Sequence, residues 1–264
     1  MEPLLCVDSL QVHFHNAVQA RYAVDHVSFS MEPGEVLGLV GESGSGKTVT
    51  AMCISGLLPK QKASIQGRIT FAGKEILHCK ENERRQLQGR DLAVVFQEPM
   101  TSMNPVMPVG RQVEESLRVH TRLSPAQRKA QAMEAMAQVE LPNPAELYRK
   151  YPHELSGGQL QRVMIAAAIV SRPKLLLADE PTTALDVTVQ AQILTLLKKI
   201  NRESGMGILF ISHDLHVVRK LCHRVAVMER GKLVEWNSVD AIFQQPTHSY
   251  TQQLISAIPH RKGH

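Results

Sequence analysis

Three acidic, basic and glycine-rich blocks carry the chemistry of this chain. Gly41-Glu42-Ser43-Gly44-Ser45-Gly46-Lys47-Thr48 has the spacing G-x-x-x-x-G-K-[ST]. Glycines let the backbone wrap phosphate oxygens, so that amide N–H groups and a helix N-terminus face the negative charge. Lys47 is then expected on the β- and γ-phosphates, and the Thr48 hydroxyl on Mg²⁺. Asp179-Glu180 closes the apolar run Leu175-Leu176-Leu177-Ala178. A buried strand would deliver both carboxylates to the edge of a sheet, Asp179 to hold Mg²⁺ and Glu180 to polarise an attacking water. Leu155-Ser156-Gly157-Gly158-Gln159 is a second glycine-rich block, over a hundred residues beyond the first. It reads as a second phosphate clamp: Ser156 and the amides of Gly157 and Gly158, ahead of a helix beginning near Gln159. One nucleotide has one γ-phosphate, so two clamps in one chain imply two chains sharing two nucleotides.

Two single residues follow apolar runs. Gln97 comes after Leu92-Ala93-Val94-Val95-Phe96, and His213 comes after Ile208-Leu209-Phe210-Ile211-Ser212. By type alone, a strand-end glutamine is a polar cap and a lone histidine a structural residue. Only their register with the other blocks gives them weight.

The elements that must position these groups alternate along the chain. Residues 4–37 read as short strands ending at the turn Glu32-Pro33-Gly34, and Val36–Val40 as a buried strand entering the glycine loop. Val49 to Leu58 is apolar nearly all round and stops at Pro59, as a buried helix would. Residues 98–154 turn to Met, Gln, Pro and charge with helical patterning. There Ser124-Pro125-Ala126-Gln127 offers an N-cap, a proline at the first helical position and a capping-box glutamine. Val189, Ile193, Leu196, Leu197 and Ile200 mark one face of a later helix, and Val225 to Val234 is a hairpin turning at Arg230-Gly231. The alternation predicts an α/β fold with a largely parallel sheet and its ligand at the strand carboxyl ends.

Composition narrows the classes. Of 264 residues, 43% are hydrophobic and 21% charged, as in an ordinary globular protein. No run reaches the roughly 18 apolar residues of a membrane span, and the N-terminus lacks a signal-peptide pattern. The net charge of +5 fits a slightly basic solvated surface. With 4% aromatic residues, a base-stacking nucleic-acid platform is poorly supplied, and no nucleic-acid partner is expected. Cys6, Cys53, Cys79 and Cys222 lack metal-ligand spacing and read as reduced thiols.

Taken in order, these blocks resemble the ATP-binding-cassette (ABC) ATPases over nearly the whole chain. The resemblance implies a RecA-like P-loop core at 1–97 and 155–235 with an N-terminal antiparallel β-subdomain. It also implies a helical subdomain at 98–154 and a helical C-terminal tail at 236–264, all in one domain. It implies that Leu155–Gln159 is the family signature, Pro181 with Thr183-Ala184-Leu185-Asp186 its D-loop, and His213 its switch histidine on the γ-phosphate. Gln97, opening Gln97-Glu98-Pro99-Met100-Thr101-Ser102-Met103-Asn104-Pro105, resembles the Q-loop, which senses Mg²⁺ and water while its flank meets a membrane partner. Phe14 and Tyr22 are both candidates for the aromatic stacked on adenine, with Phe14 preferred.

Within that family, residues 97–105, Tyr151-Pro152-His153-Glu154 and Pro246-Thr247-His248-Ser249-Tyr250-Thr251 resemble ATPase subunits of peptide and nickel importers. Longer members carry a cysteine-bearing C-terminal extension. No cysteine follows Cys222, so an iron–sulfur tail is not expected and the lean is toward nickel, metal chelates and small peptides. His260 and His264 read as an ordinary solvated tail. The implied machine is a head-to-tail ATP sandwich with a second, different ATPase chain. It works at the cytoplasmic face of the membrane with two permease subunits and, indirectly, an extracytoplasmic solute-binding protein. A soluble ABC ATPase acting on DNA or ribosomes is the alternative, but neither a long coiled-coil insertion nor a second cassette is present.

Overall fold

The computed structural model describes residues 2–15, 22–59, 61–183 and 185–257. The chain forms two compact units, Met1–Lys80 with Gly207–His264, and Glu81–Met206. Strands, in chain order, are β1 (Leu5–Phe14), β2 (Val24–Met31), β3 (Val36–Val40), β4 (Ala63–Phe71), β5 (Lys74–Glu75), β6 (Leu92–Val95), β7 (Leu175–Asp179), β8 (Gly207–Ser212), β9 (Arg224–Glu229) and β10 (Lys232–Ser238).

The first unit holds two kinds of pairing. An antiparallel sheet runs β2-β1-β4-β5. In β1 the buried residues are Leu5 and Val7, then Leu10 and Val12, a change of parity that would normally turn one set outward. A bulge between Val7 and Leu10, with Ser9 at φ 49°, absorbs the extra residue and keeps all four inside. Beside it, β3 pairs in parallel with both β8 and β9, and β9 turns at Arg230-Gly231 into antiparallel β10. Every residue of β3 and β8 is buried, as strands covered on both faces require. Each large apolar side chain so buried contributes about 1.5–3 kcal/mol. Arg224 on β9 ties β2 to the start of β3, donating to the Ser30 carbonyl at 2.9 Å and to Glu35 Oε2 at 2.7 Å. Helix Lys47–Ser55 begins two residues earlier than the apolar pattern suggests and ends at Gly56, three residues before Pro59.

The second unit is mostly helical. β6 and β7 pair in parallel, with Val95 opposite Ala178, so both strands end at the same edge. Short helices Pro99–Ser102, Val109–Val113 and Glu115–His120 precede Pro125–Gln138, whose Ser124–Gln127 capping box forms as expected. Helix Gly157–Ile169 packs against Pro125–Gln138, Val109–Val113 and Pro99–Ser102. A buried polar knot braces this layer: Glu114, 2% exposed, accepts from the Tyr148 hydroxyl at 3.0 Å and from Arg111 at 2.7 Å. Helix Val187–Ser204 buries Ile193, Leu196, Leu197 and Ile200, with Val189 toward its exposed start. The α/β class, the antiparallel β-subdomain and the helical insertion agree with the sequence reading. Among the described residues, no helix is long and apolar enough to cross a membrane.

Candidate nucleotide site

In the first unit, β3 runs straight into the glycine loop and helix Lys47–Ser55 follows it. Gly41 sits at φ 151°, where a Cβ would lie 2.1 Å from the Met228 carbonyl oxygen. Gly46, at φ 105°, would place a Cβ 2.5 Å from the Ala23 carbonyl. Only glycine lets the loop thread between these two backbones. The Gly231 amide donates to the Ser45 carbonyl at 3.0 Å, so the β9–β10 hairpin grips the loop from one side. Lys47 is 5% exposed, and its ammonium donates to the carbonyls of Gly41 at 2.7 Å and Glu42 at 2.8 Å. Among the described residues no side chain caps the helix N-terminus at Gly46, and the positive end of a helix favours an anion there. Glu42, Ser43, Gly44 and Thr48 are exposed around the same loop, whereas Ser45 is buried.

His213 follows β8 and is exposed. The turn there is fixed by the Asp214 amide donating to Ser212 Oγ at 2.9 Å, and Asp214 in turn caps the next helix at His216 N, 2.8 Å. Phe14 ends β1, half-buried and opposite Ala63. Tyr22 is 44% exposed, its ring edge-on to His13 with centroids 5.7 Å apart. The Tyr22 carbonyl lies 3.1 Å from where a Gly231 Cβ would be. Both adenine candidates therefore belong to this unit, Tyr22 being the one whose backbone borders the loop-gripping hairpin.

In the second unit, Asp179 is 8% exposed at the last position of β7. Glu180 follows at φ 47°, a left-handed backbone that costs a non-glycine residue about 1–2 kcal/mol. Its Oε2 accepts from the Gln97 side-chain amide at 3.2 Å and from Thr183 Oγ1 at 2.9 Å. The β6–β7 register thus brings Gln97 to Glu180 across 83 positions of sequence.

Ser156 caps helix Gly157–Ile169. Its hydroxyl accepts from the Gln159 amide at 3.3 Å while Gln159 Oε1 accepts from the Ser156 amide at 3.1 Å. The helix starts at Gly157 rather than near Gln159, because this reciprocal box stabilises one more half-turn. Gly157 is exposed with open space above its Cα, and a Cβ on Gly158 would touch Val189 Cγ1 at 3.0 Å. Arg162 locks the helix in place, donating to the Val139 carbonyl at 2.7 Å and to Gln192 at 3.3 Å.

The family model described as "ABC transporter" matches residues 24–183 of this chain, a span that includes the glycine loop, Gln97, the signature and the acidic pair. The chain belongs to the ABC transporter family. Among its relatives in the family, the peptidoglycan transport ATP-binding protein YejF of Agrobacterium fabrum is 52% identical over 98% of the chain, which spans 47% of that relative. The dipeptide transport ATP-binding protein DppD of Escherichia coli is 46% identical over 97% of the chain, which spans 78% of it. The solved ATP-binding cassette MJ0796, a dimer bound to ADP and Pi after hydrolysis, aligns with TM-score 0.79 at 27% identity, over 89% of this chain and 98% of that one. CbiO1 of Clostridium perfringens, part of an ABC transporter complex, aligns with TM-score 0.77 at 28% identity, over 93% of this chain and 92% of that one.

Sequence reasoning missed one group beside the family's phosphate loop. The hydroxyl of Tyr250 accepts from the Glu42 backbone amide at 2.9 Å. The signal is the segment 246–251, which by resemblance marks only a subgroup and gives Tyr250 no role. Ala184 of the D-loop, and His260 and His264, lie outside the described residues.

Proposed function

We propose that this chain is the ATP-hydrolysing subunit of an ABC importer. It couples ATP binding and hydrolysis at a dimer interface to uptake of small peptides, or of nickel or a metal chelate, through partner membrane subunits. The observation that carries the reading is Glu180 at a strained backbone position directly after buried Asp179, its carboxylate held by Gln97 and Thr183. Strain of this kind persists only where the surrounding structure over-determines it, and it clusters at active sites. Peptide as cargo is supported by the names of relatives that this chain resembles over nearly its whole length.

In this reading Lys47 and the glycine loop Gly41 to Thr48 hold the ATP phosphates, and Phe14 stacks on adenine. Thr48, Asp179 and Gln97 supply oxygen donors of the hard kind that suits Mg²⁺, which when bound neutralises charge on the β- and γ-phosphates. Glu180 takes a proton from the attacking water as its oxygen bonds to the γ-phosphorus and the bond to the β–γ bridging oxygen breaks. His213 hydrogen-bonds the γ-phosphate. Ser156, Gly157, Gly158 and Gln159 reach the γ-phosphate held by the partner chain. The Ser156 hydroxyl, although accepting from Gln159, keeps its own hydrogen to donate. ATP thus closes the dimer and its hydrolysis reopens it.

The partner is a second, different ATPase chain. The chain works at the cytoplasmic face of the membrane beneath two integral-membrane permease subunits, with an extracytoplasmic solute-binding protein acting indirectly. Exposed Phe96, Met100 and Val106 flank Gln97 and supply apolar contacts for a membrane subunit.

Glu180→Gln tests the reading. It retains MgATP binding, loses hydrolysis by about 10²–10⁴-fold, and accumulates a closed ATP-bound dimer in size-exclusion chromatography. Turnover near the parent rate would remove Glu180 from the base role. Phe14→Ala against Tyr22→Ala, compared by adenine-nucleotide affinity, decides the stacking residue.

A further inference from the structure

The segment Pro246-Thr247-His248-Ser249-Tyr250-Thr251 is folded around one buried carboxylate. Glu235 on β10 accepts from the Thr247 amide at 2.8 Å, the Thr247 hydroxyl at 2.9 Å and the His248 amide at 3.0 Å. Burial pushes this carboxyl up, but the bonds from Thr247 and His248 outweigh it and hold Glu235 below its ordinary value of 4.5. His248 then caps helix Ser249–Ser256, its Nδ1 accepting from the Tyr250 amide at 3.2 Å. Gln252 closes the turn on the Pro246 carbonyl at 3.0 Å. Thr247, His248 and Gln252 therefore brace the segment from within, and the result is a Tyr250 side chain that is 8% exposed with its hydroxyl on the Glu42 amide. Burial raises the phenol above its ordinary value of 10, so it stays a neutral hydroxyl in the working range.

Glu42 is the point where the phosphate loop leaves β3. Its carbonyl and that of Gly41 receive the Lys47 ammonium, and its carbonyl also accepts from the Ser45 amide at 3.2 Å. The Tyr250 hydroxyl meets the N–H of the Gly41–Glu42 peptide unit, whose carbonyl is one of the two that receive Lys47. We propose that Tyr250 is a positioning residue of the phosphate loop. The Glu235-anchored turn presents its hydroxyl to the Glu42 amide, so the loop and Lys47 are already arranged when nucleotide arrives. The assignment rests on the loop binding ATP, as proposed above. Without the hydroxyl, part of the binding free energy goes into ordering the loop, and affinity falls.

The test is calorimetric titration of the full chain with MgADP, comparing parent, Tyr250→Phe, Glu42→Pro and the double variant. Proline at 42 removes the N–H that Tyr250 accepts, and among the described residues the Glu42 amide makes no other hydrogen bond. Tyr250→Phe is expected to weaken MgADP about five- to tenfold, the worth of one such bond, at full binding stoichiometry. In the Glu42→Pro background it is expected to add no further loss. Affinity equal to the parent with reduced stoichiometry would mean a role in folding alone and overturns the assignment. So does multiplication of the two losses, which would place the action of Tyr250 elsewhere. Should Glu42→Pro not fold, hydrogen exchange decides. Faster exchange in Tyr250→Phe at residues 42–46, with helix Lys47–Ser55 still protected, supports the proposal, and unchanged exchange at 42–46 sinks it. If the parent itself fails to bind MgADP, it is the nucleotide reading that falls, not this contact.

Discussion

The side-chain amide of Gln97 donates to Glu180 Oε2 across 3.2 Å, joining the ends of two paired parallel strands. The catalytic base of the proposed reaction is thus aimed by a residue just past the end of the neighbouring strand. Gln97→Ala should lower kcat by about 10- to 100-fold, the scale of misplacing a reacting group, while MgATP affinity changes little. Steady-state ATPase assays measure both. An unchanged kcat would show that Thr183 alone suffices to orient Glu180.

Gly41 tolerates no side chain, because a Cβ there meets a backbone oxygen at 2.1 Å from a φ of 151°. Gly41→Ala should destabilise the chain by about 1–3 kcal/mol and abolish nucleotide binding together with it. Urea unfolding and a nucleotide titration would reveal the pair of losses. Parent-like stability would mean that the β9–β10 hairpin yields.

Ser156 serves both as a helix cap and, in the proposed dimer, as a phosphate contact, and one substitution separates the two. Aspartate caps as well as serine and suits the positive helix end, but brings negative charge to the partner's γ-phosphate. Ser156→Asp should unfold within about 0.5 kcal/mol of the parent yet form no ATP-dependent dimer. Closed dimer at parent levels would remove this turn from the interface.

Glu235 titrates below its ordinary 4.5 because burial is outweighed by the hydrogen bonds from Thr247 and His248. A depressed carboxyl contributes stability that is complete above the unfolded value and is lost as pH falls through the folded one. The stability gap between parent and Glu235→Gln should therefore be widest above pH 4.5 and shrink on acidification below it. Denaturant unfolding at several pH values follows this directly. A gap independent of pH would mean that the carboxylate's charge contributes nothing.

What could be read from the residues follows the range of the interactions. β3, the glycine loop and its helix are contiguous, and a continuous apolar run followed by G-x-x-x-x-G-K-T declares them. The Ser124–Gln127 box was legible for the same local reason. The identical arrangement at Ser156–Gln159 was hidden behind its glycines, which argue against a helix start, so the helix was placed two residues late. The left-handed backbone of Glu180 has no local mark, since glutamate does not favour it and only the strand end and Thr183 impose it. Tyr250 and Glu42 lie 208 positions apart, and no periodicity connects them. Phe14 is preferred to Tyr22 only by its place at the end of the first strand, because aromatic type alone cannot tell stacking from packing.

The φ of 47° at Glu180 has one more implication. A glycine would sit there without penalty and relax the backbone by roughly 1 kcal/mol. Selection for sturdiness alone would therefore push this position away from the acid. Glu180→Gly should melt later than the parent and split no ATP, a hardier protein with nothing to do.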